Sequence, residues 1–335
     1  MKKITLLASV LAFALNLSAQ DDNGWKFKAG LGADFSQLFQ FQPRVGSGQN
    51  RLGFGANAEF NADYHHNRLD IKNTAKALLG FQRFGSNKVL VNGVEKSNPF
   101  QKSVDQFLVR SNWSYGVKEG SKFSYWLGSE LNTQLLTTYK NNLLKDTTAT
   151  QAGPISKFFS PATFVAAPGL DYKPNKSLNV RFSPASVKMN IVMDDKLAKT
   201  PNDAGTAGVF GNPWTPTTYR NVDFQIGAFL NATYIKKFFP YKNGDKEAHR
   251  LIYSSNLNLF SNYIKDPKYV DVDWQNTIDL VIFKGLALSA NLNVWYDHDF
   301  DVQKDLNNNP ADGYEGTGKG VSVTQQLLIK YSLVF

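Results

Sequence analysis

The sequence predicts an all-β chain: a transmembrane, antiparallel, up-and-down β-barrel of about twelve strands. Three observations lead there. Apolar and polar residues alternate with period two over stretches longer than ordinary globular strands. The long connections between those stretches all fall on one side of the array, and the tight turns on the other. The final segment places Leu327, Ile329, Tyr331, Leu333 and Phe335 at two-residue steps, as the lipid face of a closing barrel strand requires.

The first nineteen residues are read as an export signal rather than as part of the fold. Lys2 and Lys3 form a positive start, Ile4 to Leu17 an apolar stretch, and Leu17-Ser18-Ala19 a small-residue cleavage site. Cleavage between Ala19 and Gln20 leaves residues 20–335 as the barrel. The apolar stretch is too short for a membrane-spanning helix. The sequence has no Cys, which excludes a disulfide framework and a lipid-modified cysteine.

Strands are expected near 25–37, 50–64, 69–82, 104–117, 122–138, 162–173, 177–193, 220–236, 249–263, 269–283, 286–298 and 320–335. The clearest is the second. Leu52, Phe54, Ala56, Ala58, Phe60, Ala62 and Tyr64 share one face, while Gly53, Gly55, Asn57, Glu59, Asn61 and Asp63 share the other. The eighth repeats the pattern with Val222, Phe224, Ile226, Ala228, Leu230, Ala232 and Tyr234. Its opposite face, with Asp223, Gln225 and Asn231, suits water and is too polar for the core of a sandwich. In the seventh, the apolar set changes phase at Ser183-Pro184, which a bulge at the proline explains. Keeping that strand whole makes the count even, as bacterial barrels require. The long connections are then 83–103, 139–161, 194–219 and 299–319. Residues 237–248 are long for a connection on the inner side. Aromatics gather at strand ends, with Trp25, Tyr64, Tyr115, Tyr125, Tyr172 and Tyr234 at one interface, and Tyr139, Tyr263, Trp274 and Tyr296 at the other.

Net charge is +9 over the whole chain and falls to +7 without Lys2 and Lys3 (35 basic against 28 acidic residues). A small basic excess spread along the chain is no nucleic-acid footprint. The mean hydropathy of −0.34 is compatible with a membrane barrel, whose alternating strands average to a hydrophilic value.

Several stretches resemble an uncharacterised family of Bacteroidota outer-membrane proteins, domain-of-unknown-function family 3078. They are Gly32-Ala-Asp-Phe-Ser-Gln37, Phe159-Ser-Pro161, Gly169-Leu-Asp-Tyr-Lys-Pro-Asn175, Phe182-Ser-Pro184, Asp194-Asp-Lys-Leu-Ala198, Leu259-Phe-Ser-Asn-Tyr263, Asp271-Val-Asp-Trp274 and Tyr296-Asp-His-Asp299. The resemblance implies a membrane barrel and no particular chemistry.

The most charged constellation is acidic. Outward Val272, Trp274 and Ile278 place Asp271 and Asp273 inward, and outward Leu292, Val294 and Tyr296 place Asp297 and Asp299 inward. With Gly285 at the centre of the turn, Asp273 faces Asp297. Like charges across a ladder need compensation: a lumen Lys or Arg, a shared proton, or a bound cation. Oxygen ligands at these positions suit Ca²⁺. The loop 305–315 departs from an EF-hand, with Pro310 at the glycine position, so a solvated acidic loop is the plainer expectation. Otherwise no cofactor is expected. His298 is directed away from its acidic neighbours by alternation, which leaves no Ser-His-acid arrangement and argues against an enzyme. A narrow passive pore or transport barrel for small polar solutes is the expected function. The alternative is a structural or interaction barrel that binds partners through its long outer loops. Inward Trp126, Leu108, Phe229 and Phe260 are expected to fill part of the lumen. The expected partners are outer-membrane lipid and, through Tyr331, Leu333 and Phe335, the barrel-assembly machinery; no nucleic acid is expected.

Overall fold

The computed structural model describes residues 24–42, 51–82, 88–91, 94–97, 101–139, 142–145, 153–202, 205–243, 246–265, 267–283, 286–298, 302–304 and 316–334. Twelve antiparallel strands close into one barrel. In chain order they are β1 (Gly24–Phe41), β2 (Arg51–His66), β3 (Leu69–Gln82), β6 (Gln101–Gly116), β7 (Phe123–Thr133), β8 (Ala162–Tyr172), β9 (Leu178–Ile191), β10 (Val222–Asn243), β11 (Lys246–Asn262), β12 (Asp271–Phe283), β13 (Leu286–Tyr296) and β16 (Ser322–Val334). Two small hairpins stand outside the wall: β4 (Lys88–Val91) with β5 (Val94–Ser97), and β14 (Val302–Lys304) with β15 (Gly316–Gly318).

Each strand pairs with its sequence neighbour in the wall, and β1 closes the barrel on β16, with Ala33 opposite Tyr331 and Phe35 opposite Ile329. Closure matters because an unpaired backbone amide in hydrocarbon costs several kcal/mol, so a spanning sheet has no tolerable edge. Alternation then assigns the side chains. Phe35, Phe54, Leu127, Phe224, Ile278 and Ile329 are large, apolar and exposed on the outer surface. Asn57, Glu130, Asn231, Gln275, Asn291 and Gln326 take the inward positions. This polarity is that of a barrel solvated by lipid outside and water inside.

Several strands depart from the expected boundaries. Strand β7 stops at Thr133 instead of continuing to residue 138, because the Leu135 and Leu136 amides donate to the Asp105 carboxylate at 2.7 and 2.9 Å instead of to a neighbouring strand. Residues 237–243 and 246–248 are no loose connection. They extend the β10–β11 hairpin, with Lys237 opposite Ile252 and Asn243 opposite Lys246. Strand β6 begins at Gln101, three residues early.

The bulge expected at Ser183-Pro184 is present. Register shifts occur across from it on both sides, between Ala166 and Leu170 of β8 and between Gly227 and Phe229 of β10. Gly169 admits the displaced backbone, since a Cβ there would stand 2.0 Å from the Phe182 carbonyl oxygen; a Cβ at Gly227 would stand equally close to the Ser261 carbonyl of β11. The Pro184 carbonyl accepts a hydrogen bond from the Tyr263 hydroxyl at 2.9 Å.

The connections at the two ends differ as expected. One end carries the tight turns, such as Asn67-Arg68, and both Gly24 and Val334. The other carries the long connections, parts of which are folded. Asp194 caps the short helix Asp195–Lys199, and its backbone N–H donates to Ser160 Oγ at 2.9 Å. Val192, Leu197 and Ala198 form a small core covered by Phe210 and Tyr219.

Polarity of the wall yields a direct check. Leu127→Arg places a charge on the lipid face near mid-strand and is expected to lower stability in bilayers by about 2–4 kcal/mol. Gln326→Arg, facing the lumen, is expected to leave the urea midpoint of reconstituted barrel nearly unchanged.

Candidate functional site

The inward faces of the wall divide the lumen into two arcs. Strands β7 to β11 carry the bulky ones. Trp126 lies against Gly128 on the same strand; a Cβ there would stand 2.1 Å from the indole, so only glycine accommodates the ring. The Trp126 Nε1–H donates to Asn112 Oδ1 at 3.1 Å, and its ring stacks with Phe229 at 6.5 Å between centroids. The Arg181 guanidinium lies 5.3 Å above the same indole. Beside it Asp171, fully buried, pairs with Lys173 at 3.0 Å and with Arg181 at 3.8 Å. Arg110 Nε donates to Glu130 at 2.7 Å. This half of the lumen is packed and its charges are matched.

Toward the end with long connections, the Lys188 ammonium joins the acidic hairpin. It stands 3.4 Å from Asp271 and 3.5 Å from Asp297, and 5.2 Å from the Phe260 ring centroid. The acidic pair is therefore Asp271 with Asp297, not Asp273 with Asp297. Phe283 pairs with Leu286 and an extra residue bulges between Val281 and Phe283, so Asp273 stands opposite Trp295 and Val272 opposite Tyr296. The slip is two residues from the expected register, which leaves every side chain on its expected face. Asp273 instead accepts hydrogen bonds from Asn293 at 2.6 Å and Gln275 at 2.9 Å. Of the compensations expected for facing carboxylates, the one in place is a lumen lysine. No group of three acidic or histidine side chains suited to a metal occurs among the described residues; Asp299 and the loop 305–315 lie outside them.

The histidine next to this pair serves packing. His298 stacks on Tyr269 with 3.5 Å between ring centroids, and its backbone N–H donates to Asp271 at 3.4 Å. It lies past the end of β13 rather than on a lipid-facing strand position.

The second arc is open. A cavity of about 430 Å³ runs along β12, β13, β16, β1, β2, β3 and β6. Asn57, Gln275, Thr277, Asn291, Asn293 and Gln326 supply its polar lining. Space is left because Gly55 faces Gly80 across β2 and β3, and Gly32 faces Asn57 across β1 and β2. A Cβ at Gly32 would stand 2.6 Å from the Asn57 amide nitrogen. Of the charges on this wall, Lys330 pairs with Asp279 at 3.2 Å, Glu59 accepts a hydrogen bond from Asn61 at 2.9 Å, and Lys76 stands opposite Glu59 in the backbone register. Leu78, Val104 and Leu328 are among its apolar members.

Two stretches of the family resemblance meet at the end with long connections. Met193 N donates to Phe159 O at 2.9 Å, Lys157 pairs with Asp194, and Gln134 Nε2 donates to the carbonyls of Lys157 and Ser160 at 2.9 and 3.0 Å. The Lys157 ammonium, with the amides of Leu197 and Lys196, holds the Asp194 carboxyl below its ordinary value. Near the closing seam Tyr331 is exposed on the outer surface, and Leu333 pairs through its backbone with Leu31. Phe335 lies outside the described residues, as do Ala19 and Gln20.

Wall, closure and lumen together define a transmembrane β-barrel. The family described as "Protein of unknown function (DUF3078)" matches residues 37–139, from within β1 past the end of β7. Of the stretches that carry the resemblance, only Gln37 falls within that match. No curated protein matches the sequence. Among solved structures, an outer-membrane channel from Pseudomonas putida F1 is similar at 11% identity and a TM-score of 0.39, over 96% of this chain and 98% of that one. The NanC porin is similar at 7% and 0.36, over 90% and 100%. A mutant of the TodX monoaromatic hydrocarbon channel is similar at 10% and 0.35, over 94% and 91%. At such scores none of them bears on what this lumen accepts.

Lys188 was not legible as a partner of the acids, since two strands, β10 and β11, separate β9 from β12; only its inward parity was. The electrostatic consequence is testable. Lys188→Met leaves Asp271 and Asp297 facing each other without a cation, and is expected to destabilise the barrel by about 3–5 kcal/mol in urea titrations. Adding Asp271→Asn and Asp297→Asn to that variant is expected to recover most of the loss.

Proposed function

We propose that the chain is a passive pore for small polar solutes, with the open arc as the route and the packed arc as its wall. The observation that carries this reading is the cavity of about 430 Å³ lined by glycines and amides. That volume falls within the range of small-ligand sites, about 300–1,000 Å³. The amides replace part of the hydration a polar solute gives up on entry. Export through cleavage after Ala19 and residence in the outer membrane complete the proposal.

A second reading is favoured by the folded excursions at the end with long connections. Phe158 and Met193 are exposed there at 51% and 65% beside the Asp194 cap, a surface that a partner could cover. The two readings separate in planar bilayers. A pore gives discrete conductance steps from purified residues 20–335, and Gln326→Trp, which fills the open arc, lowers the step to about half or less. Silence from folded, inserted barrel overturns the pore and leaves the interaction reading.

A further inference from the structure

Among the described residues, three charged ones line the open cavity: Glu59, Lys76 and Lys330. They are not held alike. Lys330 is paired with Asp279 at 3.2 Å. Glu59 and Lys76 stand directly opposite each other on β2 and β3, which sets their Cβ atoms about 4.5–5.5 Å apart. Their charged groups nevertheless form no ion pair. Asn61, two residues nearer the tight-turn end on the same face, donates from Nδ2 to Glu59 Oε1 at 2.9 Å. Asn61 Oδ1 in turn accepts from the Thr74 hydroxyl at 2.7 Å, and Thr74 faces Asn61 across the same two strands.

This chain of hydrogen bonds holds one oxygen of the carboxylate and leaves Oε2 without a partner among the described residues. Lys76, half-buried, has neither a hydrogen bond nor an ion pair among them. Its neighbour on the other side, Leu108 of β6, is buried and apolar. The next cation on that strand, Arg110, is taken up by Glu130. An ammonium has three donors, and all three of Lys76 are unspent. The cavity wall therefore presents one negative and one positive group side by side, each with bonding capacity directed to a third party.

We propose that the open arc binds zwitterionic solutes of the α-amino-acid class, with Glu59 receiving the ammonium and Lys76 the carboxylate. The inference deepens the pore reading and rests on it. In an α-amino acid both charges hang from one carbon, a separation that suits two side chains facing each other on paired strands. Each contact is a charge-assisted hydrogen bond, stronger than one between neutral groups. The solute is neutral overall, so its entry adds no net charge to the lumen. A singly charged solute fares worse: an anion meets Lys76 but also Glu59, and a cation meets Glu59 but also Lys76. That juxtaposition of one attractive and one repulsive group is what confers selectivity. The cavity of about 430 Å³ leaves room for the solute's side chain, with Asn57, Asn291 and Gln326 among the amides in its lining.

The test uses the full barrel in lipid nanodiscs and ligand-observed saturation-transfer NMR titrations. The probes are L-glutamine, N-acetyl-L-glutamine, which keeps only the negative charge, and L-glutaminamide, which keeps only the positive one. L-Glutamine is expected to bind about tenfold more tightly than either relative. Glu59→Gln, whose amide oxygen still accepts from Asn61, is expected to erase the advantage over N-acetyl-L-glutamine. Lys76→Met, which keeps the apolar stem, is expected to erase the advantage over L-glutaminamide. Two variants that shift the preference in opposite directions exclude a common folding defect. Planar-bilayer conductance of the same preparations reports the pore separately. A conducting barrel that binds L-glutamine no more tightly than either relative overturns the zwitterion site and leaves the pore. A variant that leaves its order of affinities unchanged overturns the site too. Absence of conductance overturns the pore reading, and this inference with it.

Discussion

The pairing of β1 with β16 is the contact on which everything else in this molecule depends. In hydrocarbon every backbone N–H and C=O must find a partner within the protein, so a twelve-stranded sheet is viable only when its two edges satisfy each other. That seam also sets the phase of the whole wall. With Lys330 opposite Asp34 and Tyr331 opposite Ala33, the tyrosine meets lipid and the lysine meets water. A slip of one residue would exchange them, and would turn Gln326 outward with them. Side-chain polarity and backbone closure therefore specify one register together.

Within that register the lumen is partitioned by side-chain volume. On the packed side, indole, phenyl and guanidinium groups fill space, and each buried charge has a counter-charge. The open side is kept free by glycine where a larger residue would meet its neighbour, as at Gly32 against Asn57. Lys188 sits where the two sides meet, tying β9 to the acids at the entry to β12 and the exit from β13. A buried charge left without its partner costs more than the pair itself contributes, so this contact keeps the packed side in place more than it adds to stability.

Much of the architecture was legible in the sequence, because strict alternation carries facing information residue by residue. Leu52 to Tyr64 could be sorted into lipid and lumen faces without coordinates, and the phase change at Pro184 showed a bulge. Contacts between strands distant in the wall were not legible. Parity shows that Lys188, Asp271 and Asp297 all face inward, but the distance across a barrel follows from closure and strand tilt, which no local pattern encodes. Register within a hairpin was equally hidden. The bulge near Val281 carries no proline or glycine of its own, and it moved Trp295, not Asp297, opposite Asp273. Trp295 was within reach of the same parity argument, since Val294 and Tyr296 beside it face outward.

The partition of the lumen is the central claim, and the absence of cysteine from the sequence makes it directly measurable. Single cysteines introduced as Asn57→Cys and Gln326→Cys on the open arc, and as Ser183→Cys on the packed arc, can be treated with a small, charged thiol reagent in reconstituted barrel. Rapid labelling of the first two with protection of the third is the predicted pattern. Equal labelling of all three would mean a lumen open throughout, and protection of all three a lumen filled throughout; either contradicts the account.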